Sequence, residues 1–193
     1  MKWIVCGGGQ ACSSIAADLA GEHDVIGVDR DADRVEEVNY SLDVLGGTGD
    51  GTAMDTLGEA GIGDADMVIA STDNDETNIV VCSTAKAVSE AFTIARVKNT
   101  EYLRTWERSK QAFGVDFMVC TNLLAAESIA RMLSLPAARD VDPLADGRVE
   151  MAEFEVDADS PVASQTVAEA DRFASLTFVA VLRNGSVEIV RGE

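Results

Sequence analysis

Residues 3–12 read Trp3-Ile4-Val5-Cys6-Gly7-Gly8-Gly9-Gln10-Ala11-Cys12. An apolar run enters a triple glycine, and a helix-like segment, Gln10 to Leu19, leaves it. About 20 residues past Gly9, a second apolar strand carrying Val25, Ile26 and Val28 ends on Asp29. This is the layout of a first βαβ unit that holds a dinucleotide. Glycine lets the backbone approach a pyrophosphate, and the helix that follows offers unpaired N–H groups and a positive dipole end. Asp29 is placed to accept hydrogen bonds from a ribose diol. Gly7 and Gly9 match the first two glycines of that fingerprint, while the third position, where close packing favours Gly or Ala, holds Cys12. A tight strand–helix turn with no ligand has the same local pattern.

Working outward, strand-like and helix-like segments alternate. Strands are expected at 2–6, 24–28, 42–46, 66–70, 91–96 and 115–119, with helices at 10–20, 31–39, 52–60, 74–88, 100–112 and 122–133. Short continuous apolar runs such as Met67-Val68-Ile69-Ala70 belong to strands covered on both faces. Six βα repeats predict an α/β fold: a doubly wound, parallel, Rossmann-like sheet with right-handed crossovers. Ligands then sit beyond the carboxyl ends of the strands. The residues expected there are Gly7, Gly8, Gly9, Gln10 and Ala11 after strand one, and Asp29 after strand two. After strand three come Gly46 to Thr52, including Asp50 and Gly51. After strand four come Ser71 to Asn78, including Thr72 and Asp73, and strand five ends at Arg96. Taken singly, Asp50 and the Ser71–Asp75 cluster read equally well as helix caps. Together they form a polar rim in which Arg96 is expected to be the only cation near the phosphates.

Residues 1–135 are expected to be the nucleotide-binding domain and 136–148 a linker, because Pro136, Pro143 and Gly147 interrupt the periodicity. Residues 149–193 read as a small, partial α+β domain of three strands and one helix, with Asn184-Gly185 turning a hairpin, whose exposed strand edges imply either pairing with another chain or a missing remainder. Helix 122–133 carries Leu123, Leu124, Ile129, Met132 and Leu133, which suits either core packing or a dimer contact.

The formal net charge of −19 disfavours binding to nucleic acid or to anionic lipid. Scattered acids and scarce lysine (Lys2, Lys86, Lys98, Lys110) favour a protein of a salt-rich cytoplasm over an acid-rich docking face or an ordinary acidic surface. Four cysteines without a CxxC pair read as small core residues of a reducing compartment, and His23 as a loop residue. No metal site is expected. No apolar run approaches the ~20 residues that cross a bilayer.

The chain resembles the cytoplasmic regulatory subunits of Trk/Ktr potassium-uptake systems, whose RCK domains regulate potassium conductance. The resemblance covers essentially the whole length. It rests on Gly7-Gly8-Gly9-Gln10, Val28-Asp29, Gly49-Asp50-Gly51-Thr52, Leu57-Gly58-Glu59-Ala60-Gly61-Ile62, Asp64-Ala65-Asp66, Asp75-Glu76-Thr77-Asn78, Ala95-Arg96-Val97 and Leu124-Ala125-Ala126. Glu153 to Val156 and Ser160-Pro161 resemble the start of the family's C-terminal domain. The resemblance implies NAD, NADH, ATP or ADP at the glycine loop, Asp29, Asp50-Gly51, Thr72-Asp73 and Arg96. It also implies a homodimer or larger ring beneath a membrane-embedded potassium transporter, at the inner face of the membrane, with no catalysis. Gln10 stands where many relatives place Arg, and the C-terminal domain stops early. An NAD-dependent oxidoreductase is the competing reading. Hydride transfer needs a proton-transferring side chain beside the nicotinamide, and Lys98 is the one candidate at a strand end.

Overall fold

The structure is a computed structural model that describes residues 1–41, 44–109, 112–145, 147–171 and 177–190. Six parallel strands form its main sheet: β1 (Lys2–Cys6), β2 (Asp24–Asp29), β3 (Leu45–Thr48), β4 (Met67–Ala70), β5 (Phe92–Val97) and β6 (Phe117–Cys120). Their order is β3-β2-β1-β4-β5-β6, the doubly wound arrangement expected from the βα alternation. The order reverses between β1 and β4, so the ligand crevice of such a sheet opens there.

Period-two alternation sends side chains to both faces, and each face has its own core. Ile4, Cys6, Val68 and Ala70 pack with Leu57, Val81 and Cys82 on one face. Val5 and Ile69 pack with Ala16, Val25 and Val44 on the other. The helices covering them are α1 (Gln10–Leu19), α2 (Ala32–Ser41), α3 (Met54–Glu59), α4 (Asp75–Val88), α5 (Thr100–Ser109) and α6 (Thr121–Ser134). Cys6, Cys82 and Cys120 are buried thiols. Burial pushes the Cys82 thiol up to about 12, which makes it an inert packing group. His23 stacks on Trp3, with ring centroids 4.4 Å apart.

Strand three differs from expectation. It runs from Leu45 to Thr48, so Gly46 and Gly47 lie inside the sheet, while part of the expected range, Leu42 and Asp43, falls outside the described residues. A Cβ on Gly46 would stand 2.6 Å from side-chain atoms of Val35 and Asn39. Glycine there is what allows α2 to pack close to the strand.

The chain divides into two compact units, Met1–Ile129 and Ala130–Glu193. In the second unit, the stretch 136–148 is not the expected linker. It contains β7 (Ala138–Leu144), paired antiparallel with β8 (Val149–Phe154). Pro143 lies opposite Glu150 in a two-stranded ribbon, where a strand has an open edge and tolerates a missing N–H. Ala145 and Gly147, both at positive φ, make the turn. Further on, Thr166 caps α7 (Val167–Ala170) in a reciprocal capping box with Glu169. β9 (Ala180–Arg183) and β10 (Ser186–Ile189) form a hairpin. Asn184 and Gly185 turn it at φ 52° and 78°, as an Asn-Gly turn requires. No helix among the described residues is long and apolar enough to cross a membrane.

Candidate functional site

Strand register brings three strand ends to one level. Cys6 is paired with Val28 on one side and Ala70 on the other. The next residues continue the lock: the Gly7 N–H donates to the Val28 carbonyl at 2.8 Å, and the Ser71 N–H donates to the Cys6 carbonyl at 2.9 Å. The glycine loop therefore lies beside the loops that follow β2 and β4.

Each glycine has its own physical reason. Gly7 has φ +117°, and a Cβ there would stand 3.0 Å from the Thr72 backbone nitrogen. Both the left-handed backbone and the close loop–loop approach exclude a side chain. Gly8 donates its N–H to Asp29 Oδ2. Gly9 has ordinary extended backbone, φ −76° and ψ 169°, and a Cβ there would meet no atom within 4 Å. Its lack of a side chain is not a packing requirement of the described residues. It leaves open space directly before α1. That helix begins at Gln10 with no side-chain cap and no acidic residue in its first turn. Its leading amides are thus left for an outside anion. By contrast, α4 is capped by Asn74, whose Oδ1 accepts the Thr77 N–H at 2.7 Å, and carries Asp75 and Glu76 in its first turn. Gln10 and Ala11 sit at the start of α1; their side chains lie outside the described residues.

Asp29 ties the first two strand ends together. Its Oδ1 accepts the Asp31 N–H at 2.8 Å while Oδ2 faces Gly8. A small cavity of about 20 Å³ adjoins it, lined by Gly7, Gly8, Val28, Asp29, Arg34 and Gly46 among others. That admits one water-sized group and is too small for a nucleotide.

Asp50 and Gly51 stand next to this half of the crevice. Asp50 Oδ1 accepts from the Thr52 N–H at 3.0 Å and from the Thr52 hydroxyl at 2.7 Å, and Oδ2 pairs with Arg30 at 2.7 Å. The Arg30 guanidinium, with help from Thr52, lowers the Asp50 carboxyl to about 2. A Cβ on Gly51 would approach Cys6 Sγ to 3.2 Å, so glycine there lets the β3 loop pack over the end of β1.

Across the switch point, Asn78 is fully buried and brackets two loops. Its Oδ1 accepts from the Thr72 N–H at 2.7 Å and the Thr72 hydroxyl at 2.6 Å, while Nδ2 donates to the carbonyls of Thr72 at 3.1 Å and Arg96 at 2.7 Å. Asp75 accepts the backbone N–H groups of Lys98 and Asn99, both at 2.9 Å. Asp75 and Asn78 thus hold the ends of β4 and β5 together, whereas the Asp73 side chain is 87% exposed. Arg96 Nη2 donates to the Thr72 carbonyl at 3.1 Å.

At the strand ends the structure brings the expected residues together as two neighbouring clusters, Gly7–Gly9 with Asp29, Asp50 and Gly51, and Thr72 and Asp73 with Arg96. Arg96 is not the only cation there. Arg30 on Asp50 was missed, and Lys98, singled out in the sequence only for hydride chemistry, also stands here with its Nζ donating to the Asp73 carbonyl at 3.0 Å. The pairing of Asp29 with Thr48 sets Arg30 level with the loop after β3, and this could have pointed to Arg30. Among the described residues no cluster of His, Cys, Asp or Glu could hold a metal ion.

The "Trk system potassium uptake protein TrkA homolog" of Archaeoglobus fulgidus is 33% identical over 193 residues, covering 100% of this chain and 44% of that protein. The chain thus spans less than half the length of this curated relative. The GsuK RCK domain and the GsuK channel bound to NAD each superpose with a TM-score of 0.65 at 19% identity, over 97% of this chain and 40% and 34% of theirs. GsuK bound to ADP superposes at 0.59 with 26% identity, over 70% of this chain and 34% of its own. The first two likenesses show the fold, a Rossmann-like sheet. Residues 3–121, the glycine loop through to the start of α6, match the TrkA-N domain, and the chain belongs to that family.

Proposed function

We propose that this chain is a non-catalytic regulatory part of a potassium-transport system that binds NAD(H) or an adenine nucleotide in the β1–β4 crevice. The observation that carries the reading is the uncapped start of α1 behind the open space at Gly9. In this reading the α1 amides hold phosphate. Asp29 takes the ribose hydroxyls, exchanging its bond from Gly8. Asp50 and Gly51 shape the near wall, and Thr72, Asp73 and Arg96 form the far wall. Relatives named as potassium-uptake proteins and a structural neighbour bound to ADP support it.

Two side chains argue against hydride chemistry. Lys98 Nζ is engaged by Asp73. The Tyr102 hydroxyl donates to Glu76 at 2.5 Å, and that contact raises the phenol's pKa instead of activating it. Signalling then requires that the nucleotide bind one assembly geometry more tightly than another. A tenfold preference supplies about 1.4 kcal/mol. The membrane-embedded transporter reads that shift from the inner face. Self-association into a dimer or ring is part of the proposal. Leu123 packs into the core, while Leu124, Ile129, Met132 and Leu133 on α6 remain exposed. In the same reading, residues 149–193 belong to an RCK C-terminal domain.

The test is titration of the purified chain with NAD, NADH, ATP and ADP. Thermal stabilisation and nicotinamide absorbance are followed together, and mass by light scattering. Stabilisation without absorbance change, lost in Asp29→Ala, is expected. Turnover, or stabilisation indifferent to Asp29→Ala, contradicts the reading.

A further inference from the structure

Two cations converge on one carboxylate at the far wall of the crevice. Asp73 Oδ1 lies 3.8 Å from Arg96 Nη2 and 3.8 Å from Lys98 Nζ. We propose that Arg96 and Lys98 form a subsite for the terminal phosphate of an adenosine di- or triphosphate, beyond the reach of a lone α-phosphate, and that Asp73 occupies this subsite as an internal competitor until the nucleotide displaces it. The inference rests on the nucleotide site proposed above and adds a preference for ADP and ATP over dinucleotides.

Three observations carry it. First, Asp73 is loosely held. Its side chain is 87% exposed, and 3.8 Å is an ion-pair distance too long for a hydrogen bond. Exposed pairs of this kind are weak and exchange readily for a better anion. Second, Arg96 is under-used. One nitrogen donates to the Thr72 carbonyl, but Nε is buried without a hydrogen-bond partner among the described residues. A guanidinium with a spare donor gains from an oxyanion that offers several acceptor oxygens. Third, the subsite continues directly from the glycine loop. Gly7 and Thr72 are in close approach, and Thr72 is bonded to Arg96. A phosphate chain that starts on the first turn of α1 and crosses from β1 to β4 arrives at Arg96 and Lys98.

The chemistry then discriminates. In a dinucleotide both phosphates are esterified, and beyond them lie a neutral ribose and a nicotinamide ring. Neither can replace a carboxylate between two cations. The terminal phosphate of ADP or ATP can, because it carries more negative charge than Asp73 and more acceptor oxygens.

Isothermal titration of the full chain with AMP, ADP, ATP and NAD tests this. Asp73→Asn removes the competitor and should tighten ADP and ATP about five- to tenfold, with AMP and NAD changed by less than about twofold. Lys98→Met should weaken ADP and ATP about fivefold and spare AMP and NAD. Glu90→Gln removes an exposed charge beside the start of β5, at the opposite end of the sheet, and should move all four ligands alike and little. Equal tightening of NAD and ADP by Asp73→Asn reduces the effect to the general acidic field and overturns the subsite. Unchanged ADP affinity in both variants overturns it as well. If the wild-type chain binds none of the four, the nucleotide site itself is refuted and the subsite falls with it; binding of AMP and NAD without the predicted selectivity refutes the subsite alone.

Discussion

Asn78→Ala should damage both the fold and the crevice, and its size follows from the bonds it removes. Asn78 makes four contacts, to Thr72 N–H, Thr72 hydroxyl, Thr72 carbonyl and Arg96 carbonyl. Two of these partners have a substitute. The Thr72 hydroxyl also reaches the Asn74 carbonyl at 3.2 Å, and the Thr72 carbonyl keeps Arg96 Nη2. The Thr72 N–H and the Arg96 carbonyl lose the bonds that Asn78 gave them. An unsatisfied buried group costs about 1–3 kcal/mol, and water reaching the part-buried Thr72 offsets some of it, which leaves about 2–4 kcal/mol. For a chain of this size that is a fall in melting temperature on the order of 6–12 °C. Urea unfolding at neutral pH measures the loss, and nucleotide titration on the same samples measures the crevice. The far wall should loosen, so affinity for ADP should fall further than that of a surface variant of equal charge. A change below about 0.5 kcal/mol, or full affinity in a destabilised variant, refutes the idea that this one amide braces the ends of β4 and β5.

Gly7→Ala should cost about 2–4 kcal/mol, because it combines positive φ with a backbone clash at Thr72; a melting temperature equal to the parent's contradicts the loop geometry. The Asp50 carboxyl is lowered from 3.8 to about 2 in the fold. Its contribution is therefore present above about pH 4 and lost as pH falls through about 2. Asp50→Asn should flatten the acid limb of stability within that window, modestly, because Arg30 and Asp50 are both well exposed; an unchanged limb removes the pair. With a net charge of −19, self-repulsion should be relieved by salt. Raising potassium chloride from about 0.05 M to 2 M should raise the melting temperature, and a flat or falling response counts against adaptation to a salt-rich interior.

The parallel, doubly wound sheet was legible because three signals agreed: apolar strands of four to six residues, a helix after each, and glycine at the first bend. Asp29 was legible because a parallel sheet places the residue ending β2 beside the loop that ends β1. Strand three was shifted because Gly46 and Gly47 resemble a loop by composition. Only the packing of Val35 and Asn39 against Gly46 shows why a strand needs glycine there. Pro143 and Gly147 announced a break in periodicity but could not distinguish a linker from a hairpin, since both use the same residues. The pairs Arg30–Asp50 and Lys98–Asp73 depend on strand register and on the reach of long side chains, neither of which local spacing encodes. Spacing left capping and binding as alternatives for the whole cluster after β4, and the structure assigns separate structural tasks to several of its members. Asn74 caps α4, Asp75 and Asn78 brace loops, and the Asp73 side chain stays exposed.

Gly9→Val tests the central claim most directly. The backbone at Gly9 is ordinary and a Cβ there meets nothing within 4 Å, so the variant should fold with a stability loss of at most about 1 kcal/mol, from replacing a helix N-cap glycine. The branched side chain fills the space that a phosphate needs in front of α1. Calorimetric titration with ADP and NAD should therefore show binding to the parent chain and at least a hundredfold loss in a variant of nearly parental melting temperature. Undiminished binding by a folded Gly9→Val chain would show that the phosphates lie elsewhere and would contradict the account.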